Sequence, residues 1–103
     1  MKKKLSCVFL FVFFVGCMDA TKVAPNVAGL GVTTNLAMLE DGREIYLTRC
    51  AKCHNAIRIT RHTILQWKND ILPEMFRQTK LQAAQKEAVT AYIEAVLSSQ
   101  VLQ

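Results

Sequence analysis

Residues 50–54 read Cys50-Ala51-Lys52-Cys53-His54. Two thiols three positions apart can each form a thioether to one of the two vinyl groups along one side of a porphyrin. The next residue then lies under the ring and offers an imidazole nitrogen to iron. The spacing is that of a covalent haem attachment site, with Cys50 and Cys53 as the thioether carriers and His54 as the proximal iron ligand. Two rival chemistries use similar residues. A zinc site needs about four ligands; Cys50, Cys53, His54 and His62 make up that number, but the adjacent pair Cys53 and His54 are awkward tetrahedral partners. A redox dithiol of the thioredoxin kind belongs to a βαβ context, and no strand pattern occurs in this chain. The expected cofactor is one haem c, with its iron, per chain.

The chain has 103 residues and four cysteines. Cys7 and Cys17 lie in an N-terminal stretch of a different character from the rest. Lys2, Lys3 and Lys4 precede an apolar run, Val8 to Val15, that is well short of the roughly 20 residues needed to span a bilayer. This is the layout of a secretory signal. Its end, Phe14-Val15-Gly16-Cys17, resembles a bacterial lipobox, with Phe14 where that family usually has Leu. The resemblance implies removal of residues 1–16 and acylation of Cys17, hence export to the periplasm and a membrane tether. Every cysteine then has an assignment, and none is left over for a disulfide.

The formal net charge of +5 comes mostly from the signal: without residues 1–16 the chain keeps ten basic and eight acidic residues, a net of +2. No basic stripe or block of like charge remains, so nucleic-acid binding has no support.

The elements that must position the motif are helical. Residues 17–35, with Pro25, Gly29, Gly31, Asn26 and Asn35, show no sustained period and are expected to form a flexible, lipid-anchored linker. A first helix is predicted over Leu36–Cys50, capped by Thr34 or Asn35, with Glu40 and Asp41 toward its start. On it Gly42, Tyr46 and Cys50 recur every four residues and share a face. A second helix opens with the capping box Thr63/Gln66 and carries Ile64, Leu65, Trp67, Ile71 and Leu72, with Pro73 expected to kink or end it. A third covers about Ala83–Ser98, where Ala84, Val89, Tyr92, Ile93, Val96 and Leu97 follow the spacing of an amphipathic helix; Thr79 and Gln82 form a possible earlier cap. The fold class is all-α. So small a body makes a poor core alone, and a buried cofactor would supply apolar surface it lacks.

The stretch from Gly42 to His54, with a small residue and an aromatic ahead of the haem motif, resembles the start of class I cytochrome c-like domains. The resemblance extends over about residues 38–98. It implies a three- to four-helix fold around one haem within residues 36–103, a last helix whose aromatic, Tyr92, crosses the first, and a methionine as sixth iron ligand. Met75 is the methionine downstream of His54, in Leu72-Pro73-Glu74-Met75, eight residues after Trp67 as in short relatives of the family. His62 is the competing ligand; its plain role is to pack on Trp67 ahead of the Thr63 cap. Met38 is expected to pack only. Tyr46 and Trp67 are expected against haem or helix, with the Trp67 indole N–H a possible propionate donor. Arg58, Arg61 and Arg77 are candidate propionate partners or solvated charges.

The expected function is single-electron transfer on the outer side of a bacterial membrane, with a dehydrogenase, oxidase or other cytochrome as redox partner. No nucleophile–base or acid–base pair stands near the motif, so the chain is not expected to be an enzyme. The alternative is a haem-bearing subunit, or a sensor or peroxidase-like enzyme, with an open sixth iron position.

Overall fold

A computed structural model of the chain describes residues 20–50 and 57–101. The N-terminal segment expected to be a signal, with Cys17, lies outside the described residues, as do Cys53 and His54 of the Cys-x-x-Cys-His sequence.

The described chain is all-helical. Helix α1 comprises Leu36–Ile45 and a wider, π-type turn, Tyr46–Cys50. Helix α2 comprises Ile64–Gln66, a second π-type turn, Trp67–Ile71, and Leu72–Gln78. Helix α3 is Ala83–Val101. Single turns at Ala20–Val23, Val27–Leu30 and Ile59–Arg61 complete the described elements. Among the described residues no helix is long and apolar enough to cross a membrane.

The two long helices, α1 and α3, form the main packing interface. Gly42 is what lets them approach. A Cβ placed there would lie 2.1 Å from the Ala88 carbonyl oxygen and 2.7 Å from the Tyr92 Cβ, so any side chain would force the backbones apart. Along α3, Ala88, Val89, Tyr92, Ile93 and Val96 are buried, at the i, i+3/i+4, i+7 spacing of a stripe facing one partner. Of the positions expected on that stripe, Ala84 is exposed and Leu97 half-buried.

Local capping explains where α2 begins and ends. The Thr63 hydroxyl accepts from the Gln66 backbone N–H at 3.1 Å while the Gln66 side chain accepts from the Thr63 N–H at 2.9 Å, a complete capping box. Pro73 neither ends nor breaks the helix. It falls at the start of the Leu72–Gln78 stretch, just after the wide turn in which the Leu72 N–H bonds the Trp67 carbonyl, and a proline in a first turn needs no donor. The helix ends six residues later, where Thr79 donates through both its backbone N–H (3.0 Å) and its hydroxyl (2.9 Å) to the Met75 carbonyl. Thr79 is thus a closing residue of α2 and forms no cap with Gln82. The Gln82 N–H is taken instead by the Gln85 side chain, 2.8 Å away. At the start of α1, Asn35 sits in the left-handed region (φ 56°) and makes no side-chain cap.

The largest departure from the sequence expectation is upstream. Residues 20–30, inside the span expected as a flexible linker, pack against the helical body. Val23, Ala24, Val27 and Leu30 belong to the hydrophobic core. Two hydrogen bonds hold the strap by its backbone: Arg43 Nε donates to the Ala24 carbonyl (2.9 Å) and the Tyr92 hydroxyl to the Pro25 carbonyl (2.5 Å). Gly31, at φ 76°, supplies the left-handed residue that closes the Val27–Leu30 turn.

Candidate functional site

The motif segment leaves the end of α1 and returns at Ile57, and both of its described ends are fixed. On the near side Cys50 is the last residue of α1 and only 1% exposed. On the far side the Tyr46 hydroxyl, one wide turn before Cys50, donates to the Ile57 carbonyl. Two residues on, the buried Trp67 indole Nε1 donates to the Ile59 carbonyl at 2.8 Å. The two rings that make these bonds lean on each other edge to face, centroids 6.0 Å apart at 74°. An aromatic pair from α1 and α2 therefore clamps the backbone that follows the motif.

The wide turns place these residues. Gly42 and Cys50 are eight positions apart, and so are Trp67 and Met75. In an unbroken α-helix, eight positions at ~100° each overshoot two turns by ~80°. One inserted residue, as a π-type turn provides, lets the eighth position fall where the seventh would, within ~20° of the first. Both members of each pair are buried.

Met75 is 3% exposed. Together with Ile57, Ile71, Asp70 and Glu74 it lines a cleft of about 240 Å³ whose walls are mostly apolar. Ile57, one wall of this cleft, is the first described residue after the motif, three positions past His54 in the chain. Two carboxylates, Asp70 and Glu74, stand at its edge; Glu74 is paired with Arg77 and also accepts from Gln78 (2.8 Å).

The donor chemistry fits a covalent haem. Cys50 is fixed at the end of a helix, the buried Met75 thioether shares an apolar cleft with Ile57, and a cysteine and a histidine follow Cys50 at the required spacing. The cleft itself falls below the 300–1,000 Å³ usual for small-molecule sites; seating a porphyrin beside Met75 would require its walls, Ile57 and Ile71, to part. Cys50 and Cys53 would hold the ring and His54 the iron, with Met75 as the candidate second iron ligand.

The remaining candidates take simpler places. His62 packs on Trp67, centroids 5.9 Å apart at 87°, the structural role expected of it ahead of the Thr63 cap. The Trp67 indole N–H is committed to the Ile59 carbonyl, so it is not a propionate donor in this arrangement. Arg58 and Arg61 are exposed, and Arg77 pairs with Glu74 on its own helix. Met38 is half-buried on α1. Among the described residues no group of three or more His, Cys, Asp or Glu side chains could hold a metal ion.

Both buried tyrosines titrate high. Burial pushes the Tyr92 hydroxyl up to about 12, opposed in part by the Arg43 guanidinium beside it. Burial, with the Cys50 thiol close by, holds the Tyr46 hydroxyl higher still. Each therefore remains a neutral donor to its backbone carbonyl at ordinary pH. The clamping of these carbonyls by Tyr46 and Trp67 had no sequence signal, since the acceptors at Ile57 and Ile59 carry no side-chain signature.

Compared with protein-family models, with curated proteins and with solved structures, the chain matches none.

Proposed function

We propose that the chain is a single-electron carrier, a monohaem c-type cytochrome exported to the periplasm and tethered to a bacterial membrane through an acylated Cys17. The observation that carries this reading is the Cys50-Ala51-Lys52-Cys53-His54 sequence, which starts at the end of one helix, with the backbone clamped farther on at Ile57 and Ile59. The buried Met75, which shares its cleft with Ile57, supports His54/Met75 ligation. When bound, the haem supplies an iron that cycles between ferric and ferrous states, at a potential set by axial ligand, burial and nearby charge. The chain's own part is to hold the ring by two thioethers, present one imidazole and one thioether, and keep water from the buried edge with Ile57, Ile71 and Met75. The body resembles a cytochrome c-like domain in having a small residue, Gly42, where the first and last helices cross and an aromatic, Tyr92, at that crossing.

The test is direct. The full chain is produced in a host that attaches haem outside the cytoplasm and run on a denaturing gel. Haem stain that survives denaturation, with a mass increased by one iron protoporphyrin, is expected. Colourless protein of unmodified mass refutes the proposal and favours a zinc or dithiol reading. A low-spin ferric spectrum with the weak far-red band of methionine ligation is expected; a high-spin spectrum would select the open-site enzyme or sensor instead.

A further inference from the structure

We infer that the folded head is held within about 20 Å of the lipid surface by a leash of only a few residues. The inference rests on the reading of Cys17 as the acylated residue and goes beyond it, because acylation alone does not fix how far the head stands from the bilayer.

Chain length sets the limit. If residues 17–35 were all spacer, the 19 steps from Cys17 to Leu36 would reach about 65 Å when extended. The strap removes most of that reach. Val23 and Ala24 are already core residues, and six steps from Cys17 to Val23 span at most about 20 Å whatever their conformation. The strap is also stitched to both long helices, through Arg43 of α1 to the Ala24 carbonyl and through Tyr92 of α3 to the Pro25 carbonyl. Chain beyond Val23 therefore cannot be paid out without breaking buried contacts on both helices. The partner of this face is a lipid headgroup layer, met first by the exposed turn Ala20–Lys22. A head so placed exchanges electrons with partners that come within the same shallow layer.

The test uses the full-length acylated protein, bound to a supported phospholipid bilayer and measured by neutron reflectometry. A second protein carries twenty Gly/Ser residues between Asp19 and Ala20, a segment with a root-mean-square span of about 25 Å. For the native chain, protein density is expected to begin within about 20 Å of the headgroups, and the insertion should widen that separation with a water-rich gap. A native profile with a wider gap, or one indistinguishable from that of the insertion variant, overturns the inference. The mass of the N-terminal peptide from the same sample separates the two ideas. An acylated Cys17 with a wide gap removes the short leash and leaves the anchor standing; an unacylated Cys17 removes both.

Discussion

The clamp on the backbone after the motif is testable by removing one oxygen. In Tyr46→Phe the ring stays, so its edge-to-face contact with Trp67 and its burial between α1 and α2 are kept. What is lost is the hydrogen bond to the Ile57 carbonyl, in a place where the ring excludes water. Leaving a buried acceptor without its partner costs about 1–3 kcal/mol, and removing the hydroxyl's own desolvation returns part of it. A net loss of about 1–2 kcal/mol follows, which for a domain of this size is about 5–10 °C in Tm. Guanidinium unfolding followed by far-ultraviolet circular dichroism reads it as a lower midpoint with unchanged slope. Tyr92→Phe is the control. It removes a bond of the same kind, but from the Pro25 carbonyl on the strap. If the clamp positions the motif, the haem-loaded Tyr46→Phe protein shows an altered reduction potential or altered thioether yield, and Tyr92→Phe loses stability without either change. A Tyr46→Phe protein as stable as the parent within about 0.3 kcal/mol, below the usual worth of a buried hydrogen bond, would refute the clamp. Equal effects of the two variants on the potential would show that general destabilisation, not positioning, moves the haem.

Three further predictions come from the same packing. Gly42→Ala should cost about 3 kcal/mol or more, because its new methyl meets backbone of α3 rather than a side chain that can turn away; a midpoint shift under 1 kcal/mol by denaturant would mean that the helices part easily. Met75→Ala should lose about 2–5 kcal/mol by opening a cavity, whereas Met75→Leu keeps the volume and should cost less than about 1.5 kcal/mol; in the haem-loaded protein both should lose the far-red band, and a Met75→Leu spectrum that retains it would exclude Met75 as ligand. Stability should fall at high pH. The Tyr92 hydroxyl titrates near 10.0 when unfolded and about 12 when folded, so between these values the folded chain holds the extra proton. Its contribution is therefore whole below pH 10 and drains away as pH rises toward 12, by at most about 1.4 kcal/mol per pH unit. Tyrosinate absorbance against pH, run beside unfolding curves, checks this; a Tyr92→Phe protein with undiminished alkaline loss would point to Tyr46 as the group responsible.

The parts of the fold that were legible are those whose signal is local. The Thr63/Gln66 box, the apolar stripe of α3 and the extent of α1 each follow from residues within one or two turns of one another. The strap was not legible because its composition argued the other way: Pro25, Gly29 and Gly31 read as spacer. Yet Val23, Ala24, Val27 and Leu30 are all buried, in or beside two separate single turns, while proline and glycine mark where the backbone bends between those contacts. The thin core expected of so short a chain is a reason to weigh such a run more heavily, since a small domain can leave few apolar side chains unused.

The wide turns were hidden for a different reason. A helix with one inserted residue has the same composition as one without, and the difference lies only in which positions share a face. An eight-residue spacing between buried residues does not betray such a turn, because Ala88 and Val96 of α3 are both buried at that spacing in a regular helix. Wide turns of this kind cost regular hydrogen bonding and are concentrated where side-chain placement matters more than helix stability. Here the two frame the proposed site from both sides: one delivers Cys50 to the start of the motif, and the other delivers Met75 to the cleft it shares with Ile57. The same geometry makes residue insertion or deletion in Tyr46–Cys50 or Trp67–Ile71 more damaging than the exposed side chains there would suggest, since a shift of one position turns Cys50 or Met75 ~100° away from the core.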